Sequence, residues 1–240
     1  MYYYTVIPIK GFVINLDSRT DRWREASSQF SQFPFEIERI SAHVASFVEP
    51  LEPFVPGAVA ATWRSHQKAM QAHLNSDAKY ALILEDDFLI THDINRIIAK
   101  VLKADDFDIV QLGFLTPSIF RRLMRYMIGL RDIFLKLLQF VYRIIEFSAL
   151  DRLIVREQKG IPFSLVINDI QAGGQAYLVS RKFSEAAQFM NNPSFLSADG
   201  MLMALSETRT FKVGRVRKNH IRQSDSISSV RQRFKISDKL

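Results

Sequence analysis

Short strand-like runs, most of them largely apolar, recur along the first 180 residues: "GFVINLD" at 11–17, "FEIERI" at 35–40, "YALILE" at 80–85, "FDIVQLG" at 107–113 and "GGQAYLVS" at 173–180. "GFVINLD" and "YALILE" read as strands of buried type, and the other runs, "FEIERI" with its three charged residues among them, as further short strands. The segments between them have helical character. The polar stretch from Ser18 to Phe33 predicts a helix capped by Asp17 or Ser18, and further helices are expected over Thr62 to Leu74 and Asp93 to Leu102, the latter opened by Asp93. A Pro-rich loop fills 49–57. Beyond the last of these runs the pattern predicts a helix from Ser180 or Arg181 to Met190, a short helix in "ADGMLMALSE" and a last strand near "TFKVGRV". Alternation of this kind predicts an α/β architecture, a Rossmann-type three-layer sheet domain that is largely parallel. Ligands bind such sheets beyond the carboxyl ends of the strands.

At 240 residues the chain suits one domain carrying an insertion rather than two domains. The division expected is 1–115, a helical insertion at 116–160, and 161–240 ending in a basic tail. Cysteine is absent, which excludes disulfides and thiolate metal sites and leaves oxygen or imidazole as metal donors. The N-terminal apolar stretch lacks a basic leader and is interrupted by Lys10, so it does not read as a signal peptide. The net charge of +7 is unevenly placed: between Phe120 and Lys159 there are nine basic residues against four acidic ones. That imbalance, with the basic tail from Arg209, is compatible with acidic partners: membrane lipid and sugar phosphates ahead of nucleic acid.

One of the strands drives straight into three carboxylates, Glu85, Asp86 and Asp87. Adjacent like charges repel, and buried together they require a positive partner. Extended backbone would turn Glu85 and Asp87 to one side and Asp86 to the other. A hard divalent ion, Mg²⁺ or Mn²⁺, needs only one or two such oxygens when diphosphate and water supply the rest. The alternative is a solvated turn in which Asp86 and Asp87 merely cap the chain reversal.

Four blocks, "VINLDSRTDRW" (Val13 to Trp23), "SHQKAM" (Ser65 to Met70), "ALILEDD" (Ala81 to Asp87) and "GGQAYLVSRK" (Gly173 to Lys182), are followed by "ADG" (Ala198 to Gly200). In order and approximate spacing this resembles glycosyltransferase family 25, the bacterial lipooligosaccharide galactosyltransferases, over most of the chain outside 116–160. The resemblance implies a GT-A-like fold, a UDP-sugar donor, usually UDP-galactose, a divalent metal, and inversion at the anomeric carbon. The reaction expected is metal-dependent transfer of a hexose to lipooligosaccharide or another lipid-linked glycan, on the inner face of the cytoplasmic membrane.

On that reading Glu85, Asp86 and Asp87 hold the metal, and the charge developing on the diphosphate leaving group is offset there. Asp199 is the candidate base for the acceptor hydroxyl, or else a helix N-cap. Asn15, Asp17, Arg19 and Arg22 follow the first strand, where a nucleotide should lie, although Arg22 equally suits a helix surface. Ser65 and His66 resemble the family's Ser-His pair near the donor, with a structural histidine as the alternative. His220 supplies an imidazole to the metal or is an exposed residue of a basic tail. Gln175 and Tyr177 lie on a strand expected to floor the sugar site, with a plain core residue as the alternative for Tyr177.

The insertion carries Leu123, Met127, Leu130, Phe134, Leu137, Val141 and Ile144 at helical spacing among basic residues. Its charges exclude a clean membrane span. It reads as a helix pair lying on an anionic membrane through 120–159, or as a hairpin packed on the protein's own core or in a homodimer. Two other functions compete: a metal-dependent phosphohydrolase or nucleotidyltransferase, which also uses clustered carboxylates, and a non-enzymatic basic protein that binds nucleic acid or membrane. No zinc-finger, RNP, P-loop or dinucleotide motif is present, and a nucleic-acid partner is not expected.

Overall fold

The structure, a computed structural model, describes residues 9–47, 57–103, 107–114, 165–167, 170–171, 173–190, 198–207 and 210–224. Along the chain the elements are β1 (Ile9–Asn15), α1 (Thr20–Ser27), β2 (Ile37–Ser41), α2 (Gly57–Leu74), β3 (Tyr80–Glu85), β4 (Phe88–Ile90), α3 (Ile94–Lys103), β5 (Ile109–Gly113), β6 (Leu165–Ile167), β7 (Ala176–Ser180), α4 (Arg181–Phe189), α5 (Ala198–Glu207), β8 (Val213–Val216) and β9 (Ile221–Gln223).

Seven strands form the main sheet in the order β2-β1-β3-β7-β5-β8-β6, and β4 pairs with β9 in a small second sheet. The expected largely parallel sheet is corrected to a mixed one. β1 runs parallel to β2 and β3, and β5 parallel to β8, whereas β7 lies antiparallel between β3 and β5, and β6 is antiparallel to β8. Residue composition could not reveal this, because a strand buried on both faces has the same apolar pattern in either direction.

Alternation across the pleat gives the sheet two different faces. Phe12, Ile83, Ile109, Tyr177 and Val179 join Trp63 and Met70 of α2, Phe183 of α4, and Met201, Leu202 and Leu205 of α5 in one apolar core. On the other face Val101 and Leu102 of α3 meet Tyr80, Val110 and Leu178 across a small cleft. The layers are therefore helices, sheet, helices.

The helix ends show local chemistry at work. Asp93 accepts the N–H of Arg96 at 3.1 Å, capping α3 as its sequence predicts, and Ser180 Oγ accepts the N–H of Phe183 at 3.2 Å to open α4. The expected cap of α1 is different: Arg19 holds the cap position, and the Asp17 carboxylate is engaged by Ser41 and Arg39 instead. α2 begins at Gly57, five residues before the expected Thr62. At the edge opposite Glu85, Asp108 accepts from Ser180 Oγ, Lys182 Nζ and the Lys212 N–H, tying β7 to the segment that enters β8.

The chain divides into two compact units, Met1–Leu115 with Pro162–Leu240, and Thr116–Ile161. The predicted helix pair of the insertion lies outside the described residues. Among the described residues no helix is long and apolar enough to cross a membrane.

Candidate active site

β1 and β3 run parallel with Ile14 opposite Glu85, so their carboxyl ends arrive together. Asn15 is the last residue of β1 and is buried. Its Nδ2 donates to Asp86 Oδ2 at 2.7 Å and to the Arg19 carbonyl at 3.1 Å, while its Oδ1 accepts from Arg39 Nε at 3.0 Å and from Arg39 Nη2. The side-chain amide is thus fully used, and its orientation is fixed by having an arginine on one side and a carboxylate on the other.

The positive partner that the acidic triplet demands is Arg22. From α1 its Nη1 donates to Asp86 Oδ1 at 2.9 Å and stands 3.6 Å from Asp87 Oδ2. Arg22 is buried, so the sequence alternative of a solvated helix surface is excluded. Removing one member of such a pair leaves a buried charge, a loss of about 3–5 kcal/mol.

The strand alternation expected for the carboxylates ends at Glu85, because the chain turns at Asp86 and Asp87. Asp86 and Asp87 therefore share Arg22, and Glu85 stands against His66 instead. Asp87 is only 4% exposed; Gln223 Nε2 donates to its Oδ2 at 2.8 Å, while its Oδ1 is buried without a hydrogen-bond partner. Burial, followed by the charge of Glu85, pushes the Asp87 carboxyl up to about 6, against the pull of Gln223 and Arg22. Of the guanidinium groups acting on the three carboxylates, Arg22 touches Asp86 and Asp87 directly, Arg19 attracts them only from a distance, and the charge of Arg22 alone leaves two negative charges over.

His66 of α2 is wholly buried. Its Nδ1 lies 2.6 Å from the Tyr177 hydroxyl, the two rings are stacked at 5.7 Å, and its Nε2 stands 3.4 Å from Glu85 Oε1. Ser65, its neighbour in sequence, faces elsewhere: its Oγ donates to the Ala61 carbonyl and accepts the His43 N–H. Ser65 therefore ties its own helix to the chain after β2.

The loop before β7 closes this side. Gly173 has φ 115°, a conformation that favours glycine. Its N–H donates to Asp199 Oδ2 at 3.2 Å, and its carbonyl accepts from Gln111. Gln175 is buried, and its carbonyl accepts the Glu85 N–H at 3.0 Å. Asp199, in the first turn of α5, thus borders the loop that packs on Glu85; its other oxygen accepts the N–H of Gly200 at 3.1 Å.

Several predicted residues do not join the group. Asp17 and Arg19 lie at the rim, Asp17 with Ser41 and Arg39, Arg19 in a partly exposed pair with Asp21 at 2.8 Å. Arg19 holds the Asp21 carboxyl well below its ordinary range. His220 is separated from the triplet by the length of the β4 and β9 ladder. Thr91 donates its N–H to the His220 carbonyl at one end of the ladder, whereas Gln223 reaches Asp87 at the other. The His220 ring packs on His92, with centroids 5.5 Å apart. Among the described residues no three histidine or acidic side chains are arranged as a ready-made metal site. Arg39, Gln111 and Gln223 were not singled out by sequence; each is a polar residue in a strand, and only the strand order reveals what it meets.

The sequence matches no family model and no curated protein. Among solved structures the chain is similar to a glycosyltransferase involved in the glycosylation of the major capsid of PBCV-1, with a TM-score of 0.51, 9% identity, and 97% of this chain and 100% of that one covered. The fold is GT-A-like. A protein from STIV matches at a TM-score of 0.40 with 13% identity, covering 89% and 83% of the two chains. The galactosyltransferase LgtC in complex with donor and acceptor sugar analogs matches at 0.38 with 8% identity, covering 96% of each. Within the GT-A-like frame the acidic triplet occupies the carboxyl edge of β1 and β3, where sheets of this type receive their ligands.

Proposed function

We propose that this protein is a glycosyltransferase that moves a hexose, galactose in the first instance, from a UDP-sugar to a lipooligosaccharide or another lipid-linked glycan, with inversion and with Mn²⁺ or Mg²⁺. The observation that carries the reading is the buried, unpartnered Oδ1 of Asp87 in a cluster with two negative charges beyond what Arg22 offsets. A divalent cation fits that donor chemistry, with Asp87 as its anchor, Glu85 beside it, and diphosphate oxygens completing the set. Bound there, it would supply positive charge against the departing diphosphate.

The chain's own residues divide the remaining work. Arg22 and Asn15 hold Asp86 in place, so the carboxylate edge is preorganised before a ligand arrives. Asn15 and the rim residues Asp17 and Arg19 border the place for the nucleotide. Asp199, beside the Gly173 loop, takes the proton from the acceptor hydroxyl. The basic segment 120–159 brings the enzyme to the cytoplasmic face of an anionic membrane that carries the acceptor.

The test is a UDP-sugar screen with and without Mn²⁺, read as UDP release in the presence of a lipooligosaccharide acceptor. Metal-stimulated release from at least one donor is expected, and Asp87→Asn should lose it. In chelator the same variant should melt at a higher temperature than wild type, because it removes a carboxylate that burial and repulsion disfavour. Absence of release from every donor, or undiminished turnover in Asp87→Asn, overturns the proposal.

A further inference from the structure

We infer that His66 is a positioning residue for Glu85, presenting an Nε2–H to one carboxylate oxygen, and that Tyr177 sets the imidazole tautomer that makes this contact available. The inference rests on the proposed glycosyltransferase reading for the use of Glu85, but its structural core does not. His66 has no exposed surface, so it does not touch a donor directly, and its effect must pass through the groups it contacts.

Those contacts run in a line. The Tyr177 hydroxyl is 2.6 Å from His66 Nδ1, and the Glu85 Oε1 oxygen is 3.4 Å from Nε2. A neutral imidazole carries one proton, on one nitrogen or the other. With the proton on Nδ1, the bare lone pair of Nε2 would face a carboxylate, two acceptors in opposition. With Tyr177 donating to Nδ1, the proton sits on Nε2 and faces an acceptor. Burial and the charge of Glu85 both hold the Tyr177 phenol in its protonated form, so the hydroxyl keeps the hydrogen this requires.

At 3.4 Å the Nε2 contact lacks hydrogen-bond geometry, and Nε2 has no other hydrogen-bond partner. A buried donor without an acceptor is costly, which favours movement of Glu85 toward His66 rather than away from it. Glu85 has the freedom to move: its side chain is 30% exposed, whereas those of Asp86 and Asp87 are held. Gly174 leaves the approach open. A methyl group there would stand 3.3 Å from Glu85 Oε1, 3.6 Å from His66 Cε1 and 3.8 Å from Nε2, tight against the contact. With one oxygen engaged by His66, Glu85 keeps its second oxygen for a ligand and has fewer rotamers open to it. This is the arrangement by which a partner behind a liganding group sharpens its geometry.

The experiment has two arms. In a long-range ¹H–¹⁵N spectrum of the full chain, His66 should show a protonated Nε2 and an unprotonated Nδ1, and Tyr177→Phe should shift it toward a mixture. A proton on Nδ1 in the wild-type protein, or no change in Tyr177→Phe, overturns the assignment whether or not the protein transfers sugar. In the kinetic arm, His66→Leu should lower kcat about 10- to 100-fold with KM for the UDP-sugar changed far less. His66→Gln, whose amide places an N–H near the position of Nε2, should recover most of that loss. Equal kcat in His66→Leu and wild type, or equal loss in His66→Leu and His66→Gln with both folded, overturns it. A wild-type protein inactive on every donor counts against the glycosyltransferase reading and leaves the spectroscopic arm decisive for the tautomer.

Discussion

The imidazole of His73 is fully buried between α2 and α4, and its two nitrogens are both spoken for. The Ala78 carbonyl, 3.1 Å from Nε2, can only accept, so Nε2 carries the proton and Nδ1 accepts from Ser184 Oγ at 2.9 Å. Burial depresses the ring's affinity for a second proton, to a pKa of about 4. The unfolded chain binds that proton near pH 6.5, so below this pH protonation favours the unfolded state. Stability contributed by the neutral ring is complete above about pH 6.5 and is lost as pH falls toward about 4, by roughly 3 kcal/mol. Asp87 has the opposite sign, since a carboxyl raised to about 6 costs stability as pH rises through the same range. The slope due to His73 should therefore be measured in the Asp87→Asn background by urea unfolding between pH 4 and 7, in chelator. His43 and His220, whose burial also lowers their affinity for a proton, add slope of the same sign, so a flat profile there, or a slope undiminished by His73→Gln, would show that His73 is not the main group responsible.

At the scale of elements, the small β4 and β9 sheet holds the acidic turn from behind. Ser224 N–H donates to the Asp87 carbonyl at 2.6 Å and Gln223 donates to its side chain, so the last described strand reaches back to a turn some 140 residues earlier, as the 3.0 Å bond between Thr91 N and the His220 carbonyl does at the other end. A chain ended after Ser224 should retain metal-dependent UDP binding, and one ended after His220 should lose it while keeping the main sheet. Calorimetry with UDP and Mn²⁺ and far-UV circular dichroism read these two outcomes; equal affinities would remove β9 from the support of Asp87. This dependence was not legible in the sequence. "YALILE" and "ADGMLMALSE" match β3 and α5 residue for residue, because long apolar runs and helical periodicity are local signals. The three-residue strands β4, β6 and β9 are too short to show a period, and they exist through pairing with distant partners. The carboxylates of the site were legible because three in succession after a buried strand are chemically conspicuous. Arg39 and Gln223 were not: each matters for the residue opposite it, and strand order is what determines that residue.

At the scale of the whole molecule, the uneven charge of the sequence gives a further expectation for the segment 120–159, which lies outside the described residues. If the segment binds an anionic surface, each basic residue close to the lipid contributes about 1 kcal/mol. Replacing Arg121, Arg122 and Arg125 together should weaken liposome binding by up to roughly two orders of magnitude, and added salt should do the same. Equal sedimentation of the triple variant and wild type with anionic vesicles would assign the segment to packing within or between chains. The order of strands bears on something else, the making of the protein on the ribosome. β7 lies between β3 and β5, with Tyr80 paired to Ser180. Until residue 180 has left the exit tunnel, the open edges of β3 and β5 have no β7 to cover them, although both have long been synthesised. Hydrophobic edges left unpaired for so much of translation are prone to join neighbouring chains. Cells producing this protein should therefore be sensitive to the rate of elongation across residues 115–180, with slower passage favouring aggregates and with holdase chaperones protecting the nascent chain over that interval.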